Sequence, residues 1–195
     1  MHQVVLILNW TDQELEDAVT KVLANITGLD PDKGEIRLAY SQQGQPSWKH
    51  TDTIVAYYLT PSNDPYDQDI DSTYKYKSDV DVFDKKDIFT QVLECRISCY
   101  GPNCKSLATL IRAAIQSDEN RLELSKVNIY PVPKIPPYRY VPYEYNKQWW
   151  LRADVFLLLN VYTTLSSEVQ RITSANIKVK PDNTTIGEID VDITS

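Results

Sequence analysis

Apolar and polar positions change period several times along this chain of 195 residues, and each change marks an element. Leu15, Ala18, Val19, Val22, Leu23 and Ile26 recur at helical spacing. Ahead of them, Thr11-Asp12-Gln13-Glu14 has the form of a capping box, with Thr11 as N-cap, Glu14 at N3, and Trp10 and Leu15 placed as a hydrophobic staple. Gly28 fits the left-handed residue that ends such a helix, and Asp30-Pro31 follows. The apolar run at 4–8 predicts a short strand or an N-terminal arm.

Strand patterns come next. Ile36, Leu38 and Tyr40 alternate with Glu35, Arg37 and Ala39, and the loop SQQGQPSWKH leads to a second strand at 53–60. Residues 61–87 hold eight aspartates and four lysines with little apolar periodicity, which predicts a long loop or an extended hairpin excursion. Over 88–100 the sheet resumes: Leu93, Cys95, Ile97 and Cys99 share one face, and Glu94, Arg96, Ser98 and Tyr100 the other. The YGPN turn leaves Asn103 to cap a second helix, striped by Cys104, Leu107, Ala108, Ile111, Ala114 and Ile115.

Residues 130–145 carry five prolines and five tyrosines. Proline lacks a backbone donor, so this is an extended arm or loop and not a central strand. A long strand is predicted from 149 to 162. Trp149, Leu151, Ala153, Val155, Leu157, Leu159 and Val161 share its core face, and Trp150, Arg152, Asp154, Phe156, Leu158, Asn160 and Tyr162 the opposite one. Trp149 is thus expected in the core, and Trp150 under the arm or against a neighbour. A short helix at 166–172 follows. Then comes a hairpin: Ala175, Ile177 and Val179 alternate, Pro181-Asp182-Asn183 turns, and Ile189, Val191 and Ile193 alternate again. The expectation is one α+β domain over 1–195. It has a mixed or antiparallel sheet, two main helices packed on one face, an acidic excursion at 61–87 and a Pro/Tyr-rich arm at 130–145.

Charge narrows the partners. The net charge is −7 and no Lys/Arg run exists, so general nucleic-acid binding is not expected. Three cysteines, Cys95, Cys99 and Cys104, form no spaced disulfide framework, which favours a reducing compartment. The opening MHQVVLILNW lacks a basic start and a small-residue cleavage site, so no secretory leader is expected. The sequons at Asn25 and Asn183 are then chance matches. No stretch approaches the roughly 18 apolar residues of a membrane span.

Catalytic and metal chemistry finds little purchase. His2 is terminal and His50 sits in a polar loop. Cys95 and Cys99, about 13 Å apart on one strand face, cannot share a metal, and buried apolar thiols are the expectation. Asp67, Asp69 and Asp71 imitate the start of an EF-hand, but Ser72 and Ser78 stand where that loop needs glycine and glutamate. Pro133-Lys134-Ile135-Pro136 fits PxxP. No glycine-rich phosphate loop is present, and no cofactor is expected. What remains is an abundance of Trp, Tyr and Arg on arms and loops, residue types that anchor protein interfaces. The candidate assembly residues are Trp48, Tyr66, Tyr138, Arg139, Tyr140, Tyr143, Trp150 and Arg152.

Four stretches in order, TGLDPDKGEIRLAYSQQGQPSWK, TDTIVAYYLTPSNDPYDQ, ISCYGPNCKSLATLIRAAI and IYPVPKIPPYRYVPYEYNKQWWLRADVFLLLNVY, cover about residues 27–162. Through them the chain resembles the phage neck terminator protein-like family, the tail terminators or head–tail joining proteins of tailed bacteriophages. The resemblance implies a non-enzymatic virion protein, made in the host cytoplasm, forming a ring, usually a hexamer, at the head-proximal end of the tail. Implied partners are further copies of itself, the tail tube protein and the neck connector. DNA would pass through the lumen without sequence-specific binding, and an acidic lumen would repel it. Two other classes stay open: an adaptor binding partners through the Pro/Tyr-rich arm, and an enzyme centred on His50 or the aspartate tract.

Overall fold

The computed structural model describes residues 7–40, 47–63, 69–78, 82–170, 174–179 and 187–192. In chain order come β1 (Ile7–Leu8), α1 (Asp12–Thr27), a 3-10 turn (Pro31–Lys33), β2 (Ile36–Leu38), β3 (Ile54–Pro61), β4 (Asp71–Lys77), β5 (Val82–Tyr100), α2 (Cys104–Ala114), α3 (Asp118–Ser125), β6 (Ile129–Pro131), β7 (Arg139–Tyr140), β8 (Tyr143–Tyr145), β9 (Gln148–Trp150), β10 (Arg152–Gln170), β11 (Ser174–Val179) and β12 (Gly187–Asp192). The fold is α+β, with an open mixed sheet in the order β1-β10-β5-β3-β2. β2 runs parallel to β3, and β3 antiparallel to β5. Packing divides the chain into two compact units: Leu8–Asp71 with Ile88–Thr164, and Met1–Ile7 with Ser72–Asp87 and Leu165–Ser195.

In the larger unit α1 starts as its sequence dictates. Thr11 Oγ1 accepts from the Glu14 N–H at 3.3 Å, and Glu14 Oε2 accepts from the Thr11 N–H at 2.8 Å. Gly28, at φ 70, ends it. Trp10 is partly buried against the core and donates its Nε1–H to Thr163 Oγ1 at 3.0 Å. Leu15, Val19, Val22 and Leu23 pack with the α2 stripe of Cys104, Leu107, Ala108 and Ile111 onto the inner sheet face of Val55, Tyr57, Cys95, Ile97, Cys99, Val155, Leu157 and Leu159. Tyr57 crosses this layer: its hydroxyl donates to the Glu16 carbonyl at 2.7 Å and lies 2.7 Å from Thr20 Oγ1. Burial pushes that phenol's pKa up.

The Pro-rich segment is structural. β6 and β7 pair antiparallel with β10, setting Ile129 opposite Val161, Pro131 opposite Leu159, and Arg139 opposite Asp154. The Val132 and Val141 N–H groups donate to the Leu158 and Arg152 carbonyls at 2.9 Å each. The arm lies along one edge of β10 while β5 holds the other.

Several expectations are corrected. The strand expected to start at 149 is interrupted at Leu151, and β9 pairs instead with β8 in a separate hairpin. That hairpin turns at Asn146 and Lys147, both with positive φ (51 and 59). Trp149 is therefore not in the core; it is 64% exposed. Asn103 stands at the N-cap of α2 without a side-chain cap bond. A third helix, α3, joins the first two, burying Leu124 in the same core.

In the smaller unit, β4 pairs with β5, so part of the acidic tract is an extended hairpin. Ser72 Oγ donates to Asp87, Lys77 bridges Asp84 and Glu168 at 2.8 and 3.3 Å, and Tyr76 meets Phe83 at 5.3 Å. No helix forms at 166–170, where β10 continues to Gln170. The C-terminal hairpin is present as antiparallel β11 and β12, running from Ser174 opposite Asp192 to Val179 opposite Gly187. The run at 4–6, the loop at 41–46, Tyr66, Asp67, residues 171–172, the turn at 181–183 and Ile193 lie outside the described residues.

Candidate assembly surface

Strand alternation gives the larger unit's sheet a second face, away from the helices. Tyr58 of β3 stands opposite Arg96 of β5. The Arg96 guanidinium lies 5.7 Å from the Tyr58 ring and 5.5 Å from the Phe156 ring of β10. Arg139 of β7 lies 5.2 Å from Phe156, and Tyr40 meets Tyr58 at 5.3 Å. Cation and ring thus alternate across four strands, and Glu94 pairs with Arg96 beside them. Such contacts are worth about 0.5–1 kcal/mol each where exposed.

At the end of this face sits an aromatic cluster centred on Trp150. Trp48 lies 4.8 Å from Trp150, nearly perpendicular, and 4.8 Å from Tyr100. The His50 and Tyr145 rings are each 6.1 Å from Trp150, and Tyr143, opposite it in the hairpin, stacks at 6.3 Å. Burial raises the Tyr143 phenol's pKa. Trp150 Nε1 is buried with no hydrogen-bond partner among the described residues, a local cost that the ring packing must exceed.

Arg152 fastens the cluster to the sheet. Its Nε–H and Nη2–H donate to Asp154 Oδ1 and Oδ2 at 2.6 and 2.8 Å, and its guanidinium lies 5.7 Å from the Tyr100 ring. Hydrogen bonding to Asp154 pushes the Arg152 pKa further up. The adjacent turn is tight: the Gly101 N–H donates to the Leu151 carbonyl at 3.1 Å, and a Cβ on Gly101 would stand 2.4 Å from the Asp52 oxygen.

Of the eight candidate residues, Trp48, Tyr143, Trp150 and Arg152 meet in this cluster. Arg139 lies on the same outer face, whereas Tyr140, opposite Ala153, turns to the helix side, where the Lys105 ammonium of α2 sits 4.0 Å from its ring. Tyr138 packs against the helix-side core instead, and Tyr66 falls outside the described residues. The sequence put Arg96 and Tyr100 on one face of β5, and Phe156 with Arg152 on one face of β10, but did not join the two faces into one surface. Sequence reasoning also missed Trp149 as an exposed residue. His50, in its polar loop, is exposed but lies against Trp150. The PxxP stretch is anchored: Ile135 is 8% exposed, and its carbonyl accepts from Arg112 Nε–H at 3.0 Å. All three cysteines are buried and free.

A family model described as "Phage neck terminator protein" matches residues 13–184, most of the chain. No curated protein matches it. Among the described residues no helix is long and apolar enough to cross a membrane.

Proposed function

The chain belongs to the phage neck terminator protein family, structural proteins of the phage neck and tail, and from that premise we propose that it is the tail terminator itself. As such it caps the head-proximal end of the tail tube as a six-fold ring. It joins that end to the neck connector. The observation that carries this reading is the assembly surface. Tyr143 and Tyr145 are exposed on the hairpin face that carries Trp150, and Trp149 is exposed on its reverse, a composition typical of the anchors of protein interfaces. A hexamer is the size that the family resemblance implies. The net charge of −7 suits a lumen through which DNA slides without sticking.

An adaptor that presents the Pro/Tyr-rich arm to a partner is less well supported. The arm already spends backbone hydrogen bonds on β10 and buries Ile135. The test is to mix purified protein with tail tubes that lack their terminator and to image them by electron microscopy. Density at one tube end, with tube lengthening arrested, is expected. Tubes that stay bare and keep growing at saturating protein would sink the reading.

A further inference from the structure

In the smaller unit, β4 is bonded to β5 alone among the described residues. Its other edge is open, and six of its seven residues are exposed. Lysines on such an edge turn away a like strand and admit an acidic one. β11 and β12 form a second sheet of only two strands, aligned from Ser174 opposite Asp192 to Val179 opposite Gly187. A hairpin standing alone is marginal in water and needs a third strand or a packing face.

The two elements match in sequence. Along β4, Tyr74 and Tyr76 alternate with Thr73, Lys75 and Lys77. Along β12, Ile189 and Val191 alternate with Glu188, Asp190 and Asp192. In the hairpin ladder Glu188 stands opposite Lys178, whereas Asp190 and Asp192 stand opposite Asn176 and Ser174, which carry no charge. Lys77 is held by Asp84 and Glu168. Lys75 is exposed and takes part in no salt bridge among the described residues.

We propose that β12 of one copy adds to the open edge of β4 in the next copy, antiparallel, with Lys75 opposite Asp190. That register sets Tyr74 opposite Val191 and Tyr76 opposite Ile189. Aromatic with β-branched, and cation with anion, are the cross-strand pairs that stabilise sheets. A slip of one residue would set tyrosines against carboxylates and lysines against isoleucine and valine. The antiparallel direction is the more stable per residue. The added hairpin has to come from another copy. On its own β4 it would give the order β10-β5-β4-β12-β11, with β11 four strand spacings from β10, about 19 Å across an open sheet. Residues 171–173 alone link the end of β10 to the start of β11, and they reach at most about 14 Å. Donor and acceptor strands at different places on one molecule make a head-to-tail contact, the kind that closes into rings. The contact stands on strand pairing; its closure into a ring rests on the terminator reading.

The experiment joins sedimentation velocity on the full chain, over a concentration series, to disulfide trapping. Lys75→Glu and Asp190→Lys should each weaken self-association about tenfold, because an attractive cross-strand pair becomes a repulsive one. Combined in one chain, the two changes should restore it. A Lys75→Cys chain mixed with an Asp190→Cys chain and oxidised should cross-link to it, since residues opposite each other bring their Cα atoms to about 4.5–5.5 Å. The native cysteines are buried and stay out of the reaction. Charge reversals without effect overturn the proposal, as does a combined variant as weak as the single ones. So does a mixture that forms no cross-link, a chain with both new cysteines that closes on itself at high dilution, or a wild type that never self-associates. Lys75→Glu chains that cap tail tubes and self-associate like wild type would keep the terminator reading and remove only this contact. Tubes left bare by a chain whose β4–β12 cross-link forms would remove the terminator reading and keep the contact.

Discussion

Trp48 and Trp150 meet edge to face, 4.8 Å between ring centres and 86° between ring planes. This contact ties a loop between β2 and β3 to a hairpin some hundred positions later in the chain. Offset and perpendicular aromatic pairs of this kind add about 0.5–1.5 kcal/mol beyond the area they bury.

The two adjacent tryptophans should therefore behave differently. Trp150→Ala removes the centre of the cluster and should cost about 2–4 kcal/mol in urea unfolding, somewhat below a fully buried ring. Trp149→Ala should stay within about 0.5 kcal/mol of wild type. Equal losses in the two variants would contradict the placement of the hairpin faces.

Arg152 and Asp154 form a forked pair at positions two apart on β10, with the Asp154 side chain nearly buried and that of Arg152 about a third exposed. Asp154→Ala leaves the guanidinium without its acceptor and should cost about 1.5–3 kcal/mol by chemical denaturation. Arg152→Lys keeps the charge but not the fork. It should lose more than half as much as Asp154→Ala, and no loss at all would show that charge alone matters.

Cys95 and Cys99 have their thiol pKa values pushed up to about 12 by burial. An unfolded thiol titrates near 8.5, so the folded chain holds these protons more tightly. The resulting stability is fully present below about pH 8.5 and is lost progressively as pH rises toward 12. Thermal midpoints from pH 7 to pH 11 should fall above pH 8.5, and a Cys95→Ala, Cys99→Ala chain should show a shallower fall. Thiol reagents at pH 8 should label both positions only after unfolding.

Gly101 adopts φ 98 with the Asp52 oxygen 2.4 Å from where a Cβ would sit. Gly101→Ala should destabilise the chain by more than about 2 kcal/mol, through backbone strain and steric overlap together. Gly28→Ala, with open space around it, should cost only the left-handed conformation, about 1 kcal/mol. Calorimetry on both variants would reveal whether this order is reversed.

Deleting residues 131–143 removes all of β7 and the last residue of β6, together with the Val132 and Val141 donors to β10. The truncated chain should lose cooperative unfolding. A well-folded truncated chain that had merely lost partner binding would favour the adaptor reading.

Local rules made α1 legible, because a capping box, a helical stripe and a terminal glycine all agree there. The faces of β5 were legible for a similar reason: odd positions from Leu93 to Cys99 are apolar without exception. The break at Leu151 was not, since apolar alternation runs unbroken from Trp149 to Val161. Residues 148–150 pair instead with β8, across a two-residue turn with positive φ at Asn146 and Lys147. Such turns announce themselves through Asn-Gly, and lysine hides the signal. Of α3's residues only Asn120 and Leu124 are buried, so its stripe is faint; Ser117 followed by Asp118 and Glu119 was the available sign of its start. The helix expected at 166–172 failed because Ser166, Ser167 and Glu168 end the strand's alternation without ending the strand. Pairing in the smaller unit, with Lys77 reaching Glu168, holds the backbone where the local pattern is mute. At the assembly surface the residue types were legible but not the grouping, since Trp48, Tyr100 and Trp150 come from three separated segments.

The arm along β10 has one more consequence. A bare strand edge is a template on which like edges of other molecules can stack without limit. Pro131, Pro133, Pro136, Pro137 and Pro142 interrupt any ladder of donors that an incoming strand would need. Cross-β growth from that side is blocked, even when newly made chains are crowded in the cell. An incoming strand of a like molecule finds no continuous run of donors along this edge.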